Sequence, residues 1–200
     1  MGLLFLSKEE HQIMDQCLQE YVNSRGVDMR VDVSASVIRG VKLLGLASRN
    51  GRRYLPQALA QAAGLYEGAK VNVNHPKGNP LAARDYQDRL GAIRNVTVRE
   101  GQGLFGDLHF NPKHALAEQL LWDATNAPEN VGFSHNVEAR TSQAGGRTMV
   151  EAILKVQSVE LVAIRRRRAG CMRPKVTRPA KRVKRSKRNS TRSWPPAWSD

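Results

Sequence analysis

No stretch of this 200-residue chain is long and apolar enough to cross a bilayer, since no run approaches the roughly 18 to 20 residues a membrane helix needs. The opening Met1-Gly2-Leu3-Leu4-Phe5-Leu6 is apolar, but no basic residue precedes it and Glu9 and Glu10 follow. That pattern reads as neither a signal peptide nor a membrane helix, and neither is expected. Cysteine is scarce. Cys17 and Cys171 stand far apart, without the spacing of a metal site or a disulfide framework, and they fit a reduced, cytosolic setting. Histidine is scarce too. His11, His75, His109, His114 and His135 include no HExxH-type pair, so neither a metal nor another cofactor is expected. Internal repeats are absent.

Acidic residues are missing from one region only. Of 32 basic and 18 acidic residues, 14 basic and one acidic lie in 164–200, leaving 18 and 17 in 1–163. The formal charge of +14 therefore belongs almost wholly to the last 37 residues, at +13, and the body is near neutral at +1. A basic face on a folded body points to nucleic acid, but a basic tail on a neutral body does not. Residues 164–200, dense in Arg, Lys, Pro and Ser and without period, are expected to be disordered.

Three segments follow from the pattern: an N-terminal helix and linker at 1–36, a body at 37–163 and the tail at 164–200. Ser7 and Glu10 form a capping box, and Ile13, Met14, Cys17, Leu18 and Tyr21 recur at helical spacing, which predicts a helix over 7–23. The body opens with a β-rich run, Val37 to Leu46, and a polar turn at 48–53. Pro56 begins a short helix through Tyr66, and Lys70 to Asn74 alternates as a half-buried strand does. Strands at 89–99 and 104–110 join through Glu100-Gly101-Gln102-Gly103. Pro112 starts a second helix over 113–126, and strands at 130–140 and 147–163 flank a turn at 142–146. The sum is an α+β domain dominated by a curved or closed antiparallel sheet.

Two residues stand out chemically. His75 follows an alternating strand and precedes Pro76, which biases it to extended geometry at a strand end. Ser134 lies inside a strand whose Phe133 and His135 point to the other face, and Gly132 leaves room nearby for a substrate backbone. Either residue alone is more often structural than catalytic, and His109 and His114 read as surface or capping groups. A serine hydroxyl needs a base to attack at neutral pH, and histidine is the side chain with a suitable pKa. A third group must then fix the imidazole's tautomer. Glu151 and Glu160 both remain candidates. They differ by an odd number, so in an unbroken strand they face opposite sides. His135 is a weaker candidate, since it faces away from Ser134.

These segments resemble phage prohead proteases and the related herpesvirus assemblins. Val37 to Asn50, Lys70-Val71-Asn72-Val73-Asn74-His75-Pro76 and Asp88-Arg89-Leu90-Gly91 resemble the family's first half. Gly103-Leu104-Phe105-Gly106-Asp107-Leu108 resembles its hairpin, and Gly132-Phe133-Ser134-His135-Asn136 its nucleophile strand. Val150-Glu151 and Ser158-Val159-Glu160-Leu161-Val162-Ala163 resemble its closing strand. The resemblance covers about 37–163. It implies an antiparallel assemblin-like β-barrel decorated by short helices. It also implies a serine endopeptidase that cleaves scaffold and capsid precursors inside the immature phage capsid, in the bacterial host cytoplasm. By match to the motifs, Ser134 would be the nucleophile and His75 the base, with Glu151 or Glu160 third. Capsid and scaffold precursors would be the partners, with self-association open, no membrane, and nucleic acid only if the tail is genuine. A catalytically inactive capsid-associated relative and a basic-tailed nucleic-acid-binding protein are the alternatives.

The chain departs from the family after Ala163, where Asp-Pro-Ala and small hydroxyl residues would follow and Ile164-Arg165-Arg166-Arg167-Arg168 stands instead. The codons GCC GAT CCG GCG ACG ACG encode Ala-Asp-Pro-Ala-Thr-Thr. Loss of one base from the first codon gives GCG ATC CGG CGA CGA, or Ala-Ile-Arg-Arg-Arg. The expectation is that residues after Ala163 are read out of frame from a GC-rich gene. Sequencing the gene checks this: the neighbouring frame should continue from Ala163 into Asp-Pro-Ala, and a neighbouring frame without it would leave a genuine basic tail.

Overall fold

Two long strands joined at Gly145-Gly146 form the spine of the fold. The computed structural model describes residues 13–76 and 82–162. In chain order the elements are β1 (Met14–Asn23), β2 (Arg30–Asp32), β3 (Val37–Gly45), β4 (Arg53–Tyr54), α1 (Pro56–Tyr66), β5 (Lys70–Val73), β6 (Arg89–Arg99), β7 (Gly103–Phe110), α2 (Ala117–Asn126), β8 (Gly132–Ala144) and β9 (Arg147–Leu161). Single 3₁₀ turns occupy Tyr86–Asp88 and Pro128–Asn130. The strands hydrogen-bond in the order β1-β8-β9-β5-β6-β7-β3-β2, with the two-residue β4 beside β9.

The core lies on the inner face of this curved sheet. Leu18, Ile38, Leu59, Tyr66, Ile93 and Phe133 are among its fully packed members. Helix α1 starts at Pro56, whose missing N–H costs nothing at a helix N-terminus. Its buried stripe, Ala58, Leu59, Ala62 and Tyr66, packs against β9, β6 and β7. On β9 the residues Gln157, Leu154 and Glu151 have no ladder partner opposite them on β8, so three bulges fit the 15 residues of β9 against the 12 from Phe133 to Ala144. Each bulge adds local twist and bends the pair.

Four expectations need correction. The sheet is mixed and open rather than an antiparallel closed barrel. Strand β5 runs parallel to β9, as does β4, because α1 and the following loops carry the chain back across the sheet. Strand β3 packs against β1 and β8, yet no ladder joins them among the described residues. The turn at 48–52 sits there instead, with the Asn50 amide donating to the Gln19 carbonyl.

The predicted helix over 7–23 is a strand where it is described. Residues 14–23 pair with β8 through ten consecutive positions, Met14 opposite Thr141 to Asn23 opposite Gly132. That long-range ladder outweighs a weak local helical preference. The true period is two: Leu18 enters the core, and Glu20 enters a buried ion pair with Arg52 at 2.5 Å. Polar residues at inward positions hid the alternation. Residues 24–36, expected as a linker, include β2, which pairs with β3.

Helix α2 begins at Ala117 rather than 113, since residues after Pro112 form turns. The His114 ring accepts from the N–H of Leu116, the residue just before the helix, and does not cap the helix itself. The capping box at Ser7 and Glu10, the segment 164–200 and the reading frame after Ala163 lie outside the described residues. Among the described residues, no helix is long and apolar enough to cross a membrane.

Strands β6 and β7 cross closely at Gly91, where a Cβ would lie 2.0 Å from the His109 carbonyl oxygen. Gly91→Ala should therefore lower the unfolding free energy by about 1 to 3 kcal/mol or more, as overpacking does. Gly64→Ala meets nothing within 4 Å at an exposed position of helix α1 and should raise it by about 0.5 to 1 kcal/mol. Urea unfolding curves of the two variants check both signs.

Candidate active site

One row of side chains crosses four adjacent strands. Tyr21 on β1 pairs with Ser134 on β8, Ser134 with Glu160 on β9, and Glu160 with Asn72 on β5. Directly opposed residues share a face, so the ladder itself puts the Ser134 hydroxyl beside the Glu160 carboxyl. The next row is Gln19, Asn136 and Ser158. His75 joins from the end of β5. The chain turns at Asn74, which adopts a left-handed φ of 58° as asparagine can, and its N–H donates to the Leu161 carbonyl. The turn brings His75 Nδ1 to 3.7 Å from Glu160 Oε2.

The serine and the carboxylate are withdrawn from solvent, whereas the His75 side chain is 38% exposed. Ser134 is 2% exposed and Glu160 is fully buried. Glu160 Oε1 accepts from the Ser158 hydroxyl and from the Asn136 amide, at 3.2 Å for the latter. Burial raises the Glu160 carboxyl above its ordinary range, against the opposing pull of Ser158, Arg84 and Asn136. Burial lowers the His75 imidazole, helped by the Arg84 charge. His75 is therefore neutral at pH 7, as a general base must be. Arg84 ties this corner together, donating to the Val73 carbonyl at 2.7 Å and pairing with Asp88 at 3.2 Å.

Several buried polar atoms here have no hydrogen-bond partner: Ser134 Oγ, Glu160 Oε2, Asn136 Oδ1, Tyr21 Oη and two nitrogens of Arg84. Such atoms are rare in folded proteins, and each costs stability.

The sequence candidates separate cleanly. Ser134, His75 and Glu160 come together. Glu151 does not: it is a bulge residue nine positions along β9 from Glu160, roughly 25 to 30 Å away at strand rise. His135 lies on the opposite face, fully buried, hydrogen-bonded through Nδ1 to the Tyr66 hydroxyl and pushed down to about 3 by burial. The room expected over Gly132 is not open. A Cβ there would lie 2.4 Å from the Tyr21 hydroxyl, so the Tyr21 ring already fills the space. Sequence reasoning missed Gln19, Tyr21, Asn136, Ser158 and Arg84. Ser158 was within reach, since it sits two residues before Glu160 and shares its face. Among the described residues, no group of three or more His, Cys, Asp or Glu side chains is arranged to hold a metal.

Comparison with known proteins gives a fold. No family model matches the chain, and no curated protein sequence does. A solved structure, the bacteriophage T4 capsid assembly protease gp21, is similar with a TM-score of 0.51 and 19% sequence identity. The similarity covers 76% of this chain and 99% of that one. The chain has a fold like that of a phage capsid assembly protease.

An NMR titration of the histidines tests the electrostatics. His75 should titrate with a midpoint below 6.5, and Arg84→Met should move it upward. His135 should stay neutral until about pH 3. Because its folded pKa is depressed, its contribution to stability is complete above about 6.5 and is lost as pH falls from there towards 3. A His75 midpoint above 6.5 would contradict this balance of partial burial and Arg84 charge.

Proposed function

We propose that this protein is a serine endopeptidase of the prohead-maturation type, with Ser134 as nucleophile, His75 as general base and Glu160 as the group that orients the imidazole. The observation that carries this reading is the pairing of Ser134 with Glu160 across β8 and β9, with His75 directed at the same carboxylate. The fold shared with a phage capsid assembly protease supplies the biological context. Glu160 displaces Glu151 as third member, because only Glu160 stands opposite the serine.

The chemistry follows from the roles. His75 Nε2 takes the Ser134 proton as Oγ bonds to the carbonyl carbon of the scissile peptide, forming a tetrahedral oxyanion. His75 then gives that proton to the leaving amine, and the C–N bond breaks to leave an acyl-serine. A water repeats the cycle: it loses its proton to His75, adds to the ester, and releases the new carboxyl terminus while Ser134 recovers its hydrogen. For this to work, Nδ1–H must point at Glu160, which fixes the tautomer and stabilises the transient imidazolium. Burial of the Glu160 side strengthens that attraction relative to water.

The substrates in this reading are scaffold and capsid precursor proteins, cut within the immature capsid in the host cytoplasm. A catalytically silent capsid component is the competing reading, and the buried, unpartnered Ser134 hydroxyl is the feature that favours it.

Incubation with the cognate precursors separates the two. Ser134→Ala and His75→Ala should each slow cleavage by roughly 10⁴- to 10⁶-fold, and Glu160→Gln by about 10²- to 10⁴-fold. Glu151→Gln should cleave at the wild-type rate. Precursors left intact by the folded wild-type protein would favour the silent capsid component.

A further inference from the structure

The strand that was expected to be a helix reaches His75 through Gln19 and stands beside Ser134 through Tyr21. Gln19 Nε2 lies 3.1 Å from His75 Nδ1. With the Gln19 amide nitrogen as donor, Nδ1 is the acceptor and the imidazole hydrogen sits on Nε2, whereas the flipped amide would pair with the opposite tautomer. A ring in that tautomer cannot take a proton from serine through Nε2. The working tautomer needs the reverse, with Nδ1–H directed at Glu160. Gln19 and Glu160 thus compete for one nitrogen. The competition shows on the other side too, since Glu160 Oε2 faces Nδ1 at 3.7 Å and has no hydrogen-bond donor.

Tyr21, two residues along the same face of β1, adds a steric element. It stands opposite Ser134, its ring lies against Gly132, and the Ser134 hydroxyl is buried. The 48–52 turn clips the strand in place. The Arg49 guanidinium sits 5.2 Å from the Tyr21 ring centroid. Asn50 donates to the Gln19 carbonyl at 3.2 Å and to Glu20 Oε2 at 3.0 Å. Arg52 pairs with Glu20 Oε1 at 2.5 Å.

We propose that β1 holds the site in a resting form, with Gln19 as a positioning residue that keeps His75 in the unproductive tautomer and Tyr21 as a cover over the nucleophile strand. Activation is the transfer of Nδ1 from Gln19 to Glu160 Oε2, accompanied by rotation of Tyr21 away from Gly132. No covalent change is required. The imidazole hydrogen moves from Nε2 to Nδ1 through solvent, leaving Nε2 with the lone pair that accepts the serine proton. Loosening of the 48–52 clip would permit both movements at once. The inference rests on the serine endopeptidase reading of the same three side chains.

Two readouts keep the inference and that reading apart. The first is ¹⁵N NMR of the full-length protein near neutral pH, with His75 assigned by comparison with His75→Gln. The wild type should show a protonated Nε2 and a bare Nδ1, and Gln19→Leu should shift the population towards Nδ1–H. The second is the rate at which a fluorophosphonate labels Ser134, located by peptide mapping, with Ser134→Ala as blank. Gln19→Leu should raise that rate about five- to tenfold, the value of one hydrogen bond. Tyr21→Ala should raise it further by opening the space over Gly132. Gln16→Leu, which alters a β1 contact to Thr141 away from the site, should leave it unchanged. A wild-type His75 already carrying Nδ1–H, or equal labelling in wild type, Gln19→Leu and Tyr21→Ala, overturns the resting-strand inference while Ser134 labelling keeps the enzyme reading. Slower labelling in Gln19→Leu also overturns it, because Gln19 would then serve the working site. An unlabelled Ser134 in every folded variant, even with the tautomer shifted, overturns the enzyme reading and with it any catalytic meaning of the strand.

Discussion

The register between β8 and β9 is the constraint on which the rest depends. Setting Ser134 opposite Glu160 fixes a hydroxyl and a carboxylate as cross-strand neighbours, and it fixes Asn136 and Ser158 as the pair beside them. A slip of one residue would turn Glu160 to the core face and bring a valine or leucine to the serine. The register is held by apolar residues of the opposite face, Phe133, Val137 and Val159, which are buried at 1% exposure each. Core packing on one side of the sheet thus sets the chemistry on the other.

Both faces bury polar groups, and both leave some without partners, His135 Nε2 and Tyr54 Oη on the core face among them. The core face carries His135 with Tyr66 and Tyr54, and Glu20 with Arg52. There the buried imidazole is held neutral and the buried carboxylate is paired, which is how an interior tolerates such groups. The outer face leaves Ser134 Oγ and Glu160 Oε2 without partners although both are buried. Unmet hydrogen bonds of this kind cost stability. They are consistent with a site in a resting arrangement, whose working contacts form only when β1 yields and a substrate arrives.

Much of this was legible in the sequence, and the reasons for the rest are physical. The strands at 89–99 and 103–110, the helix from Pro56 and the long closing pair declare themselves through alternation, proline and glycine turns. Ser134, His75 and Glu160 could be named because strand periodicity and strand ends restrict where side chains point. Choosing Glu160 over Glu151 was beyond sequence, because parity counting fails when three bulges interrupt β9 and Glu151 is itself one of them. Strand β1 was misread for a related reason. Its inward positions include Gln16 and Glu20, and a polar inner face has no hydrophobic period to read. Closure into a barrel depends on whether β1 and β3 exchange ladder bonds, and side chains of the 48–52 turn, not strand patterning, decide that they do not.

The central claim is that Ser134 and Glu160 act through His75 as one unit. A double-mutant cycle on precursor cleavage reads this directly, comparing Ser134→Ala, Glu160→Gln and the two together. Once the nucleophile is gone, an orienting carboxylate has nothing left to serve, so the double variant should cleave no more slowly than Ser134→Ala alone. Losses that multiply, with the double variant slower by the full factor of Glu160→Gln, would mean that the carboxylate acts independently of the serine and would contradict the account.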